Sequence, residues 1–117
     1  MEEYVRAQIE RLKRRIVEDY EPEKIILFGS LARGDYHELS DIDMIIIKRT
    51  RKRFLDRIGD VLLLNDTDMH LECFVYTPEE FSKMIEEENP FIEEALKSGV
   101  VLYEKQAILQ SFDSLGS

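Results

Sequence analysis

Over the opening segment of the chain, Val5, Ile9, Leu12, Ile16 and Tyr20 recur every three or four positions, and Arg, Lys and Glu fill the places between them. This spacing predicts an amphipathic helix over 3–20 with one face to bury, ended by Glu21-Pro22. The pattern then changes. Lys24-Ile25-Ile26-Leu27-Phe28 is a short β-branched run that stops at Gly29-Ser30, which predicts a buried strand over about 24–29 closing in a tight turn. Asp41-Ile42-Asp43-Met44-Ile45-Ile46-Ile47 predicts a second buried strand over 41–47. Helical spacing returns over about 51–64, where Phe54, Leu55, Ile58, Val61 and Leu62 form an apolar stripe. Asn65-Asp66-Thr67-Asp68 is a turn cluster before a strand over 69–76. Thr77, Pro78 and Glu80 then read as a helix start, with Thr as N-cap, Pro at the first position and Glu closing a capping box. That helix is expected to run to about 88 with Phe81, Met84 and Ile85 inward. Asn89-Pro90 breaks it, a helix follows over 91–97, and Val100-Val101-Leu102-Tyr103 is a short strand.

At 117 residues the chain is long enough to bury a real core in one domain and leaves little room for a second. A single cysteine, Cys73, excludes an intrachain disulfide and fits a reducing compartment; strand alternation places it in the core, opposite Glu72. No apolar run is long enough to span a bilayer and no basic-then-apolar leader opens the chain, so a soluble, cytoplasmic protein is expected. The net charge of −9 argues against nucleic acid as a partner, because a polyanion needs a basic face to displace its counterions. One basic island interrupts the acidic background: Lys48, Arg49, Arg51, Lys52, Arg53 and Arg57. Cations at a helix start oppose the dipole, so this island is expected to face nucleotide phosphates or an acidic partner surface, or else to be a solvated loop.

The chemistry-bearing residues cluster where the first two strands begin and end. Gly29 lets the backbone approach a ligand closely, and Ser30 adds a hydroxyl and an N–H suited to phosphate oxygens. Ten residues later, Asp41 and Asp43 stand two apart on one strand, so their carboxylates share a face and lie roughly 6–7 Å apart. Such a pair repels itself unless a cation intervenes, and Mg²⁺ with nucleotide phosphates meets that need. An EF-hand fails: counted from Asp35, the third, sixth and twelfth positions are His37, Ser40 and Ile46. His70-Leu71-Glu72 lacks the Pro-Cys-x-x-Cys of the zinc deaminases, and no Walker A or dinucleotide fingerprint is present.

Gly29-Ser30, Arg33-Gly34 and Ser40-Asp41-Ile42-Asp43 resemble the signature of the DNA polymerase β nucleotidyltransferase superfamily, and the short chain resembles its minimal nucleotidyltransferases. The resemblance covers most of the chain. It implies an α/β (α+β) nucleotidyltransferase fold, with a small mixed sheet of about four strands flanked by helices. It also implies one minimal domain over 1–103, with 104–117 as a C-terminal tail or short helix. Ile108, Leu109, Phe112 and Leu115 suit either docking on the chain's own domain or an offer to a partner.

In the family a third carboxylate comes from a later strand, and the matching position here is Glu72, where relatives often carry Asp. The resemblance thus implies Asp41, Asp43 and Glu72 as catalytic and metal-binding residues, with Glu72 open to a role as base or as a plain edge-strand glutamate. It implies Gly29, Ser30 and Arg33 on the phosphates of ATP or another nucleoside triphosphate, with Mg²⁺ as cofactor. Arg33 also suits a salt bridge within its turn. The expected activity is transfer of AMP to a partner protein's hydroxyl, the partner being a small helical HEPN toxin and this chain its antitoxin. The alternative is a non-catalytic module that neutralises its partner by contact. The oligomeric state is left open, a homo-oligomer included.

Overall fold

The computed structural model describes residues 2–37 and 39–106. It contains α1 (Glu3–Tyr20), β1 (Lys24–Phe28), α2 (Gly29–Arg33), β2 (Ile42–Ile47), α3 (Phe54–Leu62), β3 (Leu71–Tyr76), α4 (Pro78–Glu86), α5 (Pro90–Lys97) and β4 (Val100–Glu104). The strands form one mixed sheet in the order β3-β2-β1-β4. β1 pairs antiparallel with β2 and with β4, while β2 and β3 run parallel. The expected α/β architecture with a four-stranded mixed sheet is therefore present.

Both faces of the sheet are covered, which explains why β2 reads as an uninterrupted apolar run rather than an alternating one. Ile42, Met44 and Ile46 join Val5, Ile9, Leu12 and Ile16 of α1 and Val61 of α3 in one core cluster. Ile45 and Ile47 join Ile92 and Ala95 of α5 in the other, with Phe81 and Met84 of α4 packed against it. Cys73 lies in the first cluster, and burial pushes its thiol up to about 12, so it serves as a small apolar residue. Ile85, expected inward, is 46% exposed, because Phe81 and Met84 already fill the contact.

The capping box is formed as expected: Thr77 Oγ1 accepts from Glu80 N at 3.1 Å, and Glu80 Oε1 accepts from Thr77 N at 2.9 Å. Asn89 does more than break the chain direction. Its side chain accepts from Phe91 N and Ile92 N and so starts α5 at Pro90.

Of the alternatives open for the basic island, Arg49, Lys52 and Arg53 follow the solvated-loop one. Lys48 donates to Tyr20 O at 2.6 Å, Lys52 pairs with Asp60, Arg53 with Asp56, and Arg49 with Glu23 and Glu79. All of these follow the far end of β2 from Asp43. Lys48 alone is five residues beyond it, roughly 16 Å along the strand, so the island does not face phosphates held at Asp41 and Asp43.

Arg57 explains the orientation of α3. It is 6% exposed, donates to Lys52 O and Val75 O, and grips both carboxylate oxygens of Glu80 at 2.7 and 3.2 Å. Turning Arg57 inward beside Val61 sends Leu55 and Leu62 of the expected stripe outward. Replacing Glu80 with Ala is expected to cost about 2–3 kcal/mol in chemical denaturation. This falls below the range for fully buried pairs, because Glu80 is itself partly solvated. The guanidinium also holds the Glu80 carboxyl below the usual glutamate range. A lowered folded-state pKa makes the stabilisation complete at neutral pH and loses it as pH falls through that value. Glu80→Gln should therefore flatten the acid limb of stability against pH.

Candidate active site

Gly29 follows β1 as the first residue of α2, with φ +78, and a Cβ placed there would lie 2.2 Å from Asp43 Oδ2. The carboxylate of Asp43 thus occupies the space that the missing side chain leaves. The contact follows from the antiparallel register, which sets Phe28 opposite Asp43 and so brings the turn after β1 against the start of β2. Phe28 also closes one wall. It meets Phe91 edge-on at 5.5 Å, and Phe91 meets Phe74 at 5.2 Å.

The parallel register pairs Asp43 with Glu72, so the two side chains stand beside each other on neighbouring strands. Burial is the main cause that raises the Asp43 carboxyl to about 6; the hydrogen bond it can donate to Glu72 and the charges of Glu72 and Asp41 add to this, and Arg33 opposes it. Glu72 is exposed, on the edge strand of the sheet. Asp41 lies just ahead of β2, and His70 Nδ1 stands 3.4 Å from its Oδ1. The strand geometry therefore brings Gly29, Asp43 and Glu72 together and sets Asp41 alongside.

Ser30 reaches the same place from another direction. Its Oγ bonds Ser40 Oγ at 3.2 Å, and Ser40 Oγ accepts from His37 N at 3.0 Å, so the turn after β1 is fastened to the loop that carries Asp41. Arg33 pairs with Asp35 at 3.2 Å on the surface, and its charge acts on Asp43 as well. The contact between His70 and Asp41 was not anticipated from sequence. The signal for it lay in the strand pairing: both residues immediately precede the partners Ile42 and Leu71, and Ile42 N donates to His70 O at 2.9 Å.

The donor set suits a hard cation. All three acidic side chains offer oxygen, and the charges of Glu72 and Asp41 both raise the Asp43 carboxyl, the crowding of anions that a bound cation would relieve. Among the described residues no three such side chains form a ready-made cage. Mg²⁺ does not require one, because it binds through one or two carboxylates and takes phosphate oxygens and water for the rest.

A Gly-Ser turn seated on a carboxylate strand, within this mixed sheet, is the arrangement of a nucleotidyltransferase. Residues 10–108 match the family described as Polymerase beta, Nucleotidyltransferase, and the chain belongs to that family. It is 36% identical over 103 residues to a protein of Methanocaldococcus jannaschii named as a candidate protein adenylyltransferase, covering 88% of this chain and 94% of that one. The expectation of a minimal nucleotidyltransferase is thus met. Two solved structures share the fold. A candidate nucleotidyltransferase of Sulfolobus solfataricus superposes with a TM-score of 0.57 at 24% identity over 90% of each chain. A toxin–antitoxin structure with AMP-PNP gives 0.55 at 19% identity, over 93% of this chain and 81% of that one.

Proposed function

We propose that this nucleotidyltransferase moves AMP from ATP to a hydroxyl of a partner protein, with Mg²⁺ as cofactor, and that the partner is a small helical HEPN toxin. The observation that carries the transfer reading is the seat of Asp43 on Gly29: the turn suited to phosphate and the carboxylate suited to the cation touch. The adenylyl group and the protein acceptor draw support from the name of the archaeal relative, and the toxin partner from the toxin–antitoxin structure with a nucleotide analogue. The net charge of −9 supports an acceptor other than nucleic acid.

Asp41, Asp43 and Glu72 would hold the cation. When bound, Mg²⁺ supplies charge neutralisation at the phosphates and lowers the pKa of the incoming hydroxyl. The remaining work belongs to the chain itself. Gly29 and Ser30 present backbone N–H groups and a hydroxyl to the terminal phosphates, and Arg33 adds charge from the end of α2. The acceptor oxygen forms its bond to the α-phosphorus. The bond from that phosphorus to the oxygen bridging the β-phosphate breaks, and pyrophosphate leaves with the electron pair. The hydroxyl proton passes to the exposed Glu72 carboxylate.

The test is to incubate the protein with labelled ATP, Mg²⁺ and the product of the neighbouring gene. Label is expected on that neighbour, and is expected to vanish with Asp43→Ala. A tight complex that takes no label overturns the enzyme reading in favour of neutralisation by contact.

A further inference from the structure

We propose that a cavity beside Asp41, bounded by the start of α1, receives the acceptor, and that it selects a basic, hydroxyl-bearing peptide segment over a polyanion. This deepens the transfer reading and rests on it for the chemistry, although binding can be measured without it. The cavity measures about 550 Å³, within the range of about 300–1,000 Å³ usual for ligand sites. It lies between the first turn of α1, the loop preceding β2 and the turn preceding β3.

The lining decides the ligand class. Glu2, Asp41 and Asp68 contribute carboxylates, His37 and His70 contribute imidazoles, and among the described residues no Lys or Arg lines the cavity. A triphosphate or nucleic-acid backbone would meet like charge there, whereas a Lys or Arg would meet opposite charge on several sides. Val5 and Met69 give part of the lining an apolar surface. An aromatic or long aliphatic stem can lie against such a surface while its polar end reaches the carboxylates.

The walls are held in place. The Tyr36 hydroxyl accepts from Glu2 N at 2.9 Å, and the Tyr4 hydroxyl donates to Asp68. Asn65 braces the opposite turn, donating to Met69 O at 2.9 Å and accepting from Thr67 N at 3.0 Å. Ser40 belongs to the lining and also bonds Ser30, so the cavity and the phosphate turn share a wall that ends at Asp41. Two reactants entering from the two sides would meet at Asp41. The nucleotide comes from the side of Gly29 and Asp43, and the acceptor from the cavity.

The experiment uses the full chain without nucleotide or metal and follows the fluorescence anisotropy of two rhodamine-labelled peptides. Each centres on Tyr, one flanked by Arg and the other by Glu, and an oligodeoxynucleotide serves as competitor. The Arg peptide is expected to bind at least about tenfold tighter than the Glu peptide, a difference of charge alone, and the oligonucleotide should not displace it. Asp68→Asn keeps an acceptor for the Tyr4 hydroxyl while removing the charge; combined with Glu2→Gln it should shrink the preference to about threefold or less at an unchanged melting temperature. Equal affinities, no binding by either peptide, displacement by the oligonucleotide, or a preference that survives both substitutions would each overturn the assignment. The two readings can fail separately. A bound Arg peptide that never takes label from ATP sinks the peptide-transfer chemistry and leaves the cavity standing. Label on the neighbouring protein with no charge preference sinks the cavity alone.

Discussion

Asp43→Asn is expected to lower nucleotidyl transfer by about 10³-fold or more, the scale on which a single preorganised electrostatic group acts, and at the same time to raise the melting temperature. The second effect has the opposite sign from the usual consequence of altering a part-buried residue. Burial and the neighbouring Glu72 lift the Asp43 carboxyl to about 6, so the folded state holds a proton that the unfolded state has released. Stability from this group therefore falls as pH rises toward and through about 6. Asparagine keeps the shape and removes the charge. With divalent cations chelated at pH 8, the gain is expected to be about 1 kcal/mol after allowance for solvent screening, or roughly 4 °C. At pH 5, between the ordinary value of 3.8 and the raised value of about 6, the gain should fall to about half. Thermal melts of both proteins at the two pH values check this, and a variant that melts lower than the parent at pH 8 would refute the account of crowded carboxylates.

Gly29→Ala carries the other large effect, and Gly34→Ala provides its control. Both glycines have positive φ, +78 and +89, so both substitutions strain the backbone by about 1 kcal/mol or somewhat more. Their surroundings differ. A Cβ at position 34 meets nothing within 4 Å, whereas at position 29 it falls 2.2 Å from Asp43 Oδ2. Gly34→Ala should therefore lose only the strain energy and keep most of its activity. Gly29→Ala must also expel the Asp43 carboxylate, for a total of about 2–4 kcal/mol, and its transfer rate should drop to the level of Asp43→Asn. Equal activity in the two alanine variants would mean that the seat of Asp43 on Gly29 has no catalytic consequence.

The elements that could be read from sequence are those whose signals are local. The α1 stripe, the two β-branched runs and the Thr77–Glu80 capping box each depend on residues a few positions apart, and each appears where the pattern placed it. The Asn65–Asp68 turn likewise closes through its own side chains. What escaped was long-range. The spacing of apolar residues in α3 could not show that Arg57 turns inward, because its partner Glu80 is 23 residues away. The same holds for Arg49 of the basic island, whose acids Glu23 and Glu79 come from distant parts of the chain. The β3 strand begins at Leu71 rather than at 69, because Met69 O is engaged by Asn65 in the preceding turn. Of the site, Asp43 stands on the strand expected for it, whereas β2 begins at Ile42 rather than at 41 and leaves Asp41 just ahead of the strand. Their relation to Glu72 and His70 depended on β3 lying parallel beside β2, a pairing of distant segments that no local pattern shows. The helical spacing of Ile108, Leu109, Phe112 and Leu115 concerns a segment outside the described residues.

The parallel pairing of Asp43 with Glu72 also sets how finely this centre can be adjusted. Strands can shift only by whole residues, and a shift of one would carry Glu72 to the core side and bring Cys73 out beside Asp43. Cys73, locked among the apolar residues of the first cluster, thus acts as a detent for the ladder. No intermediate setting is open to the backbone. The gap between the two carboxylates is trimmed only by side-chain length, and the extra methylene of a glutamate at position 72 is the smallest such increment available, a vernier on an otherwise stepped scale.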